Sequence, residues 1–310
     1  MSAVAERAGP AHAPSAQFAR YLAPYRLIEA LAALAAPGGG TVLAGGTDLM
    51  LALQNGRVKP AERLVNIRRV AGLDAIKSEG GRLSIGALVT VSQLLADPLV
   101  AAHAPLLGTA AAHFASEQIR NAATVGGNLG NASPAADLAP PLLALDAKVV
   151  LARLEGDAVS MRWLPLAEFF TGPGRTARDS AELIVAVEVP QAAAGAVQRF
   201  YKGGTREGLD ISSISLALAA RRGNDGCWHD VRLALGAVAP RPIRAAAAEA
   251  ALEGAPLDAG FPAVAARAAR AAAELDARPI DDVRASAWYR RELVRNMTER
   301  MLLDAARPGH

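Results

Sequence analysis

Leu43-Ala44-Gly45-Gly46-Thr47-Asp48 and Thr124-Val125-Gly126-Gly127-Asn128-Leu129-Gly130-Asn131 are the two stretches on which the reading of this chain turns. Each sets a Gly-Gly pair and polar side chains directly after an apolar run. Two successive residues without Cβ let the backbone take positive φ and approach a ligand closely. Consecutive amides turned inward form a concave anion site, and neighbouring Thr or Asn side chains add donors. Two such loops about 80 residues apart point to one extended anionic ligand gripped from two sides, such as the pyrophosphate of a dinucleotide.

Neither common nucleotide fingerprint accounts for them. A Rossmann turn needs G-x-G-x-x-G after a strand and an acidic residue about 20 positions on, and Ala44 to Leu49 lacks that spacing. The G-x-x-x-x-G-K-[ST] loop of nucleoside triphosphate sites is absent too. A dinucleotide here is therefore held by another fold. Taken alone, Gly45-Gly46 is also what a tight turn uses. The second segment is longer. Arg120 to Pro140 carries three glycines, three asparagines, Ser133 and Asp137 between apolar elements, without clear periodicity. Backbone in such a place must satisfy its amides, and a polar ligand does that.

The 310 residues suit two or three domains. The hydrophobic fraction of 52% is raised by alanine, with aromatics at only 4%, which reads as globular and helix-rich. No apolar run reaches the roughly 18 residues of a membrane span. Residues 1–16 include Glu6, lack a signal-peptide core and read as a flexible tail. Together these favour the cytoplasm. The net charge of +3 is dispersed, with no basic stripe interleaved with aromatics, so nucleic-acid binding has little support. Cys227 stands alone, which excludes an iron–sulfur cluster held by this chain or an internal disulfide. The five histidines show no HExxH spacing, so no metal site is expected.

Leu27 to Leu34 reads as an amphipathic helix stopped by Pro37, and Thr41 to Ala44 as a strand entering the first Gly-Gly turn. Leu64 to Ile67, Leu83 to Ala87, Leu183 to Val189 and Val231 to Ala237 read as further strands, and Leu142 to Leu151 as containing one. Val91 to Leu95, Leu106 to Ile119, Ala263 to Leu275 and Asp282 to about Leu303 read as helices. On the last, Tyr289, Leu293, Met297 and Met301 form one face, more often a core face than a ligand face. Gln191 to Val197 is small and flexible, a plausible boundary. Irregular interspersion of strands and helices favours α+β over a doubly wound parallel sheet.

The two Gly-rich segments, in this order, resemble the FAD-binding or medium subunit of the molybdenum hydroxylases, the xanthine dehydrogenase and carbon monoxide dehydrogenase family. The likeness runs from about Leu22 to Leu303. It includes Asn131-Ala132-Ser133-Pro134 with Asp137, Phe169-Phe170-Thr171-Gly172 with Arg175-Thr176, and Glu182-Leu183-Ile184. It continues through Phe200-Tyr201-Lys202, Gly236-Ala237-Val238-Ala239-Pro240 with Pro242-Ile243-Arg244, and Ser286-Ala287-Trp288-Tyr289-Arg290-Arg291.

The resemblance implies a PCMH-type FAD-binding domain of two α+β subdomains (about 17–72 and 73–190) and a smaller C-terminal α+β domain at 196–305. It implies that Leu43, Ala44, Gly45, Gly46, Thr47, Asp48, Leu49 and Met50 wrap FAD phosphates with backbone amides. Thr124, Val125, Gly126, Gly127 and Asn128 would grip the pyrophosphate and run beneath the flavin. Asp137 resembles the family carboxylate that bonds FAD, although a turn cap is the bland alternative. Phe114 holds the position of an aromatic that touches the cofactor, Ile184 that of a backbone contact, and Lys202 that of a lysine near the isoalloxazine. The ring would lie between Gly130 and the Ile184 to Lys202 region, with Tyr201 able to cover a face. Gly130 departs from the bulkier residue of many relatives, and the single cysteine excludes the extra cluster of the benzoyl-CoA reductase branch.

The implied role is electron relay without a catalytic or metal site in this chain. The implied partners are a molybdopterin-binding large subunit and a small subunit with two [2Fe-2S] clusters, assembled as a dimer of heterotrimers. The competing readings are a self-contained flavin oxidase or dehydrogenase and a nucleotide-binding module without redox turnover.

Overall fold

The computed structural model of the chain describes residues 18–59, 61–193, 195–206 and 210–307, so the expected tail at 1–16 lies outside the described residues. The chain begins with β1 (Arg20–Leu22), α1 (Leu27–Ala35), β2 (Gly40–Leu43), α2 (Leu49–Gln54) and β3 (Arg63–Asn66). These strands form a parallel sheet in the order β1-β3-β2. The Glu29 carboxylate takes the amides of Tyr25 and Arg26, both at 3.2 Å, at the start of α1. Ala30, Leu31 and Leu34 then recur on one face and are buried.

Next come β4 (Ile76–Glu79), β5 (Arg82–Gly86), α3 (Val91–Ala96), α4 (Pro98–His103), α5 (Pro105–Ala112), α6 (Glu117–Arg120), α7 (Val125–Asn131) and α8 (Ala139–Ala144). β6 (Lys148–Glu155), β7 (Ala158–Pro165), α9 (Leu166–Phe169), β8 (Phe170–Gly172), β9 (Arg175–Thr176) and β10 (Leu183–Pro190) follow. Five of these strands make an antiparallel sheet, β4-β5-β10-β6-β7, whose edge strands β4 and β7 are largely exposed and whose inner strands are buried. Leu83, Ile85, Val149, Leu151, Val187 and Val189 face a core that includes Leu94, Leu107, Leu129 and Leu142 from the helices. Val150, Ala152 and Val185 face a second core with Leu31, Leu34 and Val65, which ties the two sheets together.

The last part holds β11 (Ala196–Gly203), β12 (Ile214–Arg222), β13 (Trp228–Gly236), β14 (Ile243–Arg244), α10 (Ala246–Leu252), α11 (Phe261–Ala271) and α12 (Ala287–Ala306). The four strands form an antiparallel sheet in sequence order. Leu216, Leu218, Leu233 and Leu235 pack against Phe261, Ala265, Val294 and Leu302 of its helices. The class is α+β, as expected. No helix among the described residues is long and apolar enough to cross a membrane.

Three local expectations change. The segment read as a long Gly-rich loop is α7, because Thr124 caps it: its Oγ1 accepts the Gly127 amide at 3.0 Å. The expected helix over Leu106 to Ile119 is broken at 113–116, where Ala115 takes φ +33° and the Arg120 Nη1 donates to the carbonyls of Phe114 and Ala115 at 2.9 and 3.1 Å. The last helix begins at Ala287, and its buried seam is Arg290, Val294, Thr298, Met301, Leu302 and Ala305. Leu293, Met297 and Met301 pack on the core as expected, but Tyr289 is 48% exposed, so the first turn of the core face is rotated toward Arg290.

The cause of that rotation is Arg290. It is 1% exposed and donates to Asp282 Oδ1 at 2.7 Å, to the Ile280 carbonyl at 2.7 Å and to the Ser213 carbonyl at 3.2 Å. Residues 280–286 are thereby strapped across the start of β12. Burial would raise the Asp282 carboxyl, but hydrogen bonds from Arg284, Arg290 and the amides of Arg284 and Ala285 hold it far below its usual range. A carboxylate depressed in the folded chain contributes stability that is present above the unfolded pKa and drains as pH falls toward the folded one. Asp282→Asn therefore lowers the urea midpoint at pH 7, and its gap from wild type narrows as pH drops below about 4. Arg290→Met leaves Asp282 paired with Arg284 but removes the partner of the Ile280 and Ser213 carbonyls, and costs about 1–3 kcal/mol for each left unsatisfied at pH 7 in the same titration.

Candidate functional site

The first Gly-Gly pair joins the end of β2 to the start of α2. A Cβ built on Gly45 would lie 2.0 Å from the Ala122 carbonyl oxygen and 2.8 Å from its carbon, so only glycine lets this loop touch the backbone ahead of α7. Gly46 takes φ +78°, a conformation that L side chains rarely adopt. The resulting turn leaves donors open. Met50 N–H closes the first helical bond, to the Gly46 carbonyl at 3.1 Å. Among the described residues, the amides of Gly45, Gly46, Thr47, Asp48 and Leu49 donate to no protein oxygen. Helix starts always leave such donors, and here they lie on a cavity wall.

The second segment works differently. The Val125 amide donates to the Val89 carbonyl and the Gly126 amide to the Ala87 carbonyl, each at 2.9 Å. Gly127 donates to Thr124 Oγ1, and Asn128 to the Thr124 carbonyl at 2.9 Å. The expectation of free amides on both segments thus holds geometrically for the first alone. α7 instead presents bare backbone. At Gly126 an added Cβ would meet Ala87 Cβ at 2.7 Å and the Ala87 carbonyl oxygen at 2.8 Å, so this glycine packs α7 against the strand edge. Asn128 adds a polar handle: its Oδ1 is buried and has no hydrogen-bond partner.

Between the two segments lies a cavity of about 570 Å³. Ala44, Gly45, Gly46, Thr47, Asp48, Leu49, Phe114, Thr124, Gly126, Gly127, Asn128, Gly130 and Ile184 all line it. A β-bulge at Val185 interrupts the pairing of β10 with β6 beside Ile184. An added Cβ on Gly130 would be 3.5 Å from Ile184 Cδ1, so these two residues lie side by side on the wall. Leu43, Met50, Val125, Asp137 and Lys202 are not on the wall. Met50 is 46% exposed and Val125 is 1% exposed, packed in the central core.

Asp137 and Lys202 meet each other. Lys202 Nζ donates to Asp137 Oδ2 at 2.7 Å and to the His113 carbonyl at 3.1 Å, and Ser212 Oγ donates to Asp137 Oδ1 at 2.6 Å. Both charged side chains are about nine-tenths buried. Ser212 carries no sequence signal, since a serine at the mouth of an apolar run has no distinctive spacing. Arg57, Ile67, Gly174, Arg178 and Leu183 also line the cavity without a sequence-based expectation. Asp48 reaches solvent, yet partial desolvation against the wall raises its carboxyl above its ordinary value, and among the described residues it forms no salt bridge. Asp48, Arg57 and Arg178 are the titratable groups among the lining residues.

Two substitutions separate close packing from conformational freedom. Gly45→Ala lowers the melting temperature and opens the cavity, whereas Gly108→Ala in α5, where a new Cβ meets nothing within 4 Å, stabilises by up to about 1 kcal/mol. Asp137→Ala strands a buried ammonium and costs about 3–5 kcal/mol in urea unfolding, and Asp137→Leu with Lys202→Met recovers most of that loss.

Residues 16–192 match the family model described as the FAD binding domain in molybdopterin dehydrogenase. Residues 199–305 match the CO dehydrogenase flavoprotein C-terminal domain. The chain is 36% identical over 292 residues to a putative xanthine dehydrogenase FAD-binding subunit of Escherichia coli strain K12, covering 93% of this chain and 96% of that one. It is 31% identical to the carbon monoxide dehydrogenase medium chain of Hydrogenophaga pseudoflava, covering 91% and 95%. A solved carbon monoxide dehydrogenase from Hydrogenophaga pseudoflava superposes with a TM-score of 0.86 at 32% identity, covering 94% of this chain and 97% of that one. Quinoline 2-oxidoreductase from Pseudomonas putida 86 does so with 0.84 at 31%, with the same coverage. With its cavity walled by both Gly-rich segments, the chain belongs to the family of FAD-binding subunits of the molybdenum hydroxylases.

Proposed function

We propose that the chain holds FAD in the cavity between the Gly45-Gly46 turn and α7, and relays electrons from [2Fe-2S] clusters of a small partner subunit to an external acceptor. The observation that carries this reading is the run of five unpartnered amides from Gly45 to Leu49 on one wall, with the unpartnered Asn128 Oδ1 on α7. Amides suit phosphate oxygens, and Asn128 Oδ1 suits a ring or sugar donor. Phe114, Ile67, Leu183 and Ile184 supply apolar contact for flat rings. The volume is within the range of cofactor pockets.

FAD held here would supply the conversion between one- and two-electron transfer, while the protein contributes orientation and electrostatics. The Gly45 to Leu49 amides fix the anionic centre of the cofactor, and the bare Gly127 and Gly130 surfaces admit close contact along α7. Hydroxylation of the substrate belongs in this reading to a molybdopterin-binding large subunit, within a cytoplasmic dimer of heterotrimers. A self-contained oxidase is less well supported, because Asp48 is the sole carboxylate among the lining residues and no histidine accompanies it.

Purified chain is expected to show flavin absorption and to release FAD on denaturation. Gly46→Val and Gly127→Val are expected to abolish FAD retention, the first through its positive φ and the second through a Cβ 2.9 Å from Thr124 Oγ1. Coexpression with the neighbouring genes should bring down iron–sulfur and molybdenum chains. A colourless protein that does not take up added FAD would refute the reading.

A further inference from the structure

Arg178 lies in the turn between β9 and β10, and its side chain lines the cavity. Its Nη1 is occupied by the carbonyl oxygens of Glu182 at 2.6 Å and Asp179 at 2.9 Å, with Ser180 at 3.5 Å. Neither Nε nor Nη2 has a partner among the described residues. The nearby carboxylate is already taken. Glu182, 2% exposed, accepts Arg162 Nε at 2.6 Å, Arg162 Nη2 at 2.8 Å and the Asp179 amide at 2.8 Å. Among the described residues Arg178 forms no salt bridge. Burial lowers its guanidinium's pKa, and the charges of Glu182 and Asp179 only partly oppose this. A partly buried cation whose free edge faces the cavity is completed by an anion bound there.

We propose that Arg178 donates its free edge to a phosphate oxygen of the bound dinucleotide, and is thereby a binding residue for the ADP half of the cofactor. The inference rests on the FAD reading above. The pyrophosphate carries the formal negative charges of FAD, while the rings are neutral when oxidised. A planar guanidinium fork matches phosphate oxygens geometrically. The Gly45 to Leu49 amides supply dipoles without net charge, and Asp48 adds charge of the wrong sign. Arg57, the other cation on the wall, is exposed, so Arg178 provides the desolvated positive charge.

The test is calorimetric titration of the full 310-residue chain, freed of cofactor, with FAD, ADP and riboflavin. Arg178→Gln is expected to bind FAD and ADP about 10- to 100-fold more weakly, with riboflavin unchanged. Arg178→Lys keeps the charge without the fork and should lose about 3- to 10-fold for the same two ligands. If Arg178→Gln fails to fold by circular dichroism, the lysine variant decides. Wild-type ADP affinity in a folded variant overturns the assignment, and so does an equal loss for riboflavin and FAD. If the wild-type chain itself binds neither FAD nor ADP, the cofactor reading fails first and the assignment falls with it.

Discussion

The contact of Gly45 with the Ala122 carbonyl is the constraint on which the site depends. A Cβ would stand 2.0 Å from that oxygen, so the β2–α2 turn reaches the segment ahead of α7 only because no side chain intervenes. The contact fixes the separation of the two walls. It also brings the start of a helix, with its unpaired donors, to the edge of a cavity whose other wall is built from a different sheet. Gly126 against Ala87 repeats the device on the far side, seating α7 on the end of β5. Both glycines are required by close approach rather than by φ. Gly46 supplies the one positive-φ residue the turn needs.

Around this joint, the chain keeps its buried charges in closed sets. Arg290 with Asp282, Lys202 with Asp137, and Arg162 with Glu182 each place a charged group against a partner and further donors or acceptors. Such pairs add little net stability over apolar substitutes but are costly to break, so they fix the arrangement of elements more than they strengthen it. Asp137–Lys202 links the end of α7's following turn to β11, and Ser212 links both to the residues strapped down by Arg284 and Arg290. The C-terminal sheet is thus held in register with the segments that wall the cavity.

Much of this was legible in the sequence. Two Gly-Gly pairs after apolar runs located both walls, and the β-branched run Leu183 to Val189 located the central strand. What was hidden had physical reasons. α7 contains three glycines in seven residues, a composition that disfavours helix by about 1 kcal/mol per glycine; the Thr124 cap and packing on Ala87 override it. Free amides on the second segment are expected from composition, whereas the Val89 and Ala87 carbonyls between β5 and α3 take two of them and Thr124 takes the next two. Only the first turn of the α12 face departs from the expected one, because periodicity treats arginine as a solvent residue and Arg290 is buried by a partner eight residues earlier. Arg178 and Ser212 carried no local pattern. Their significance comes from what Glu182 and Asp137 do elsewhere in the fold.

The division of labour on the cavity wall limits what the chain can do. Phosphate-type donors come from backbone that no side-chain mutation can remove, which makes ligand retention insensitive to most surface drift. Groups that move protons are scarce: the lining residues offer one carboxylate, partly desolvated, and two arginines. General acid–base chemistry on a second molecule needs a group titrating near the working pH and an oriented partner for it, and the wall has no such pair. Electron passage needs neither. In a chain that belongs to a family of FAD-binding subunits, such a wall suits the passage of electrons better than proton transfer to a second molecule.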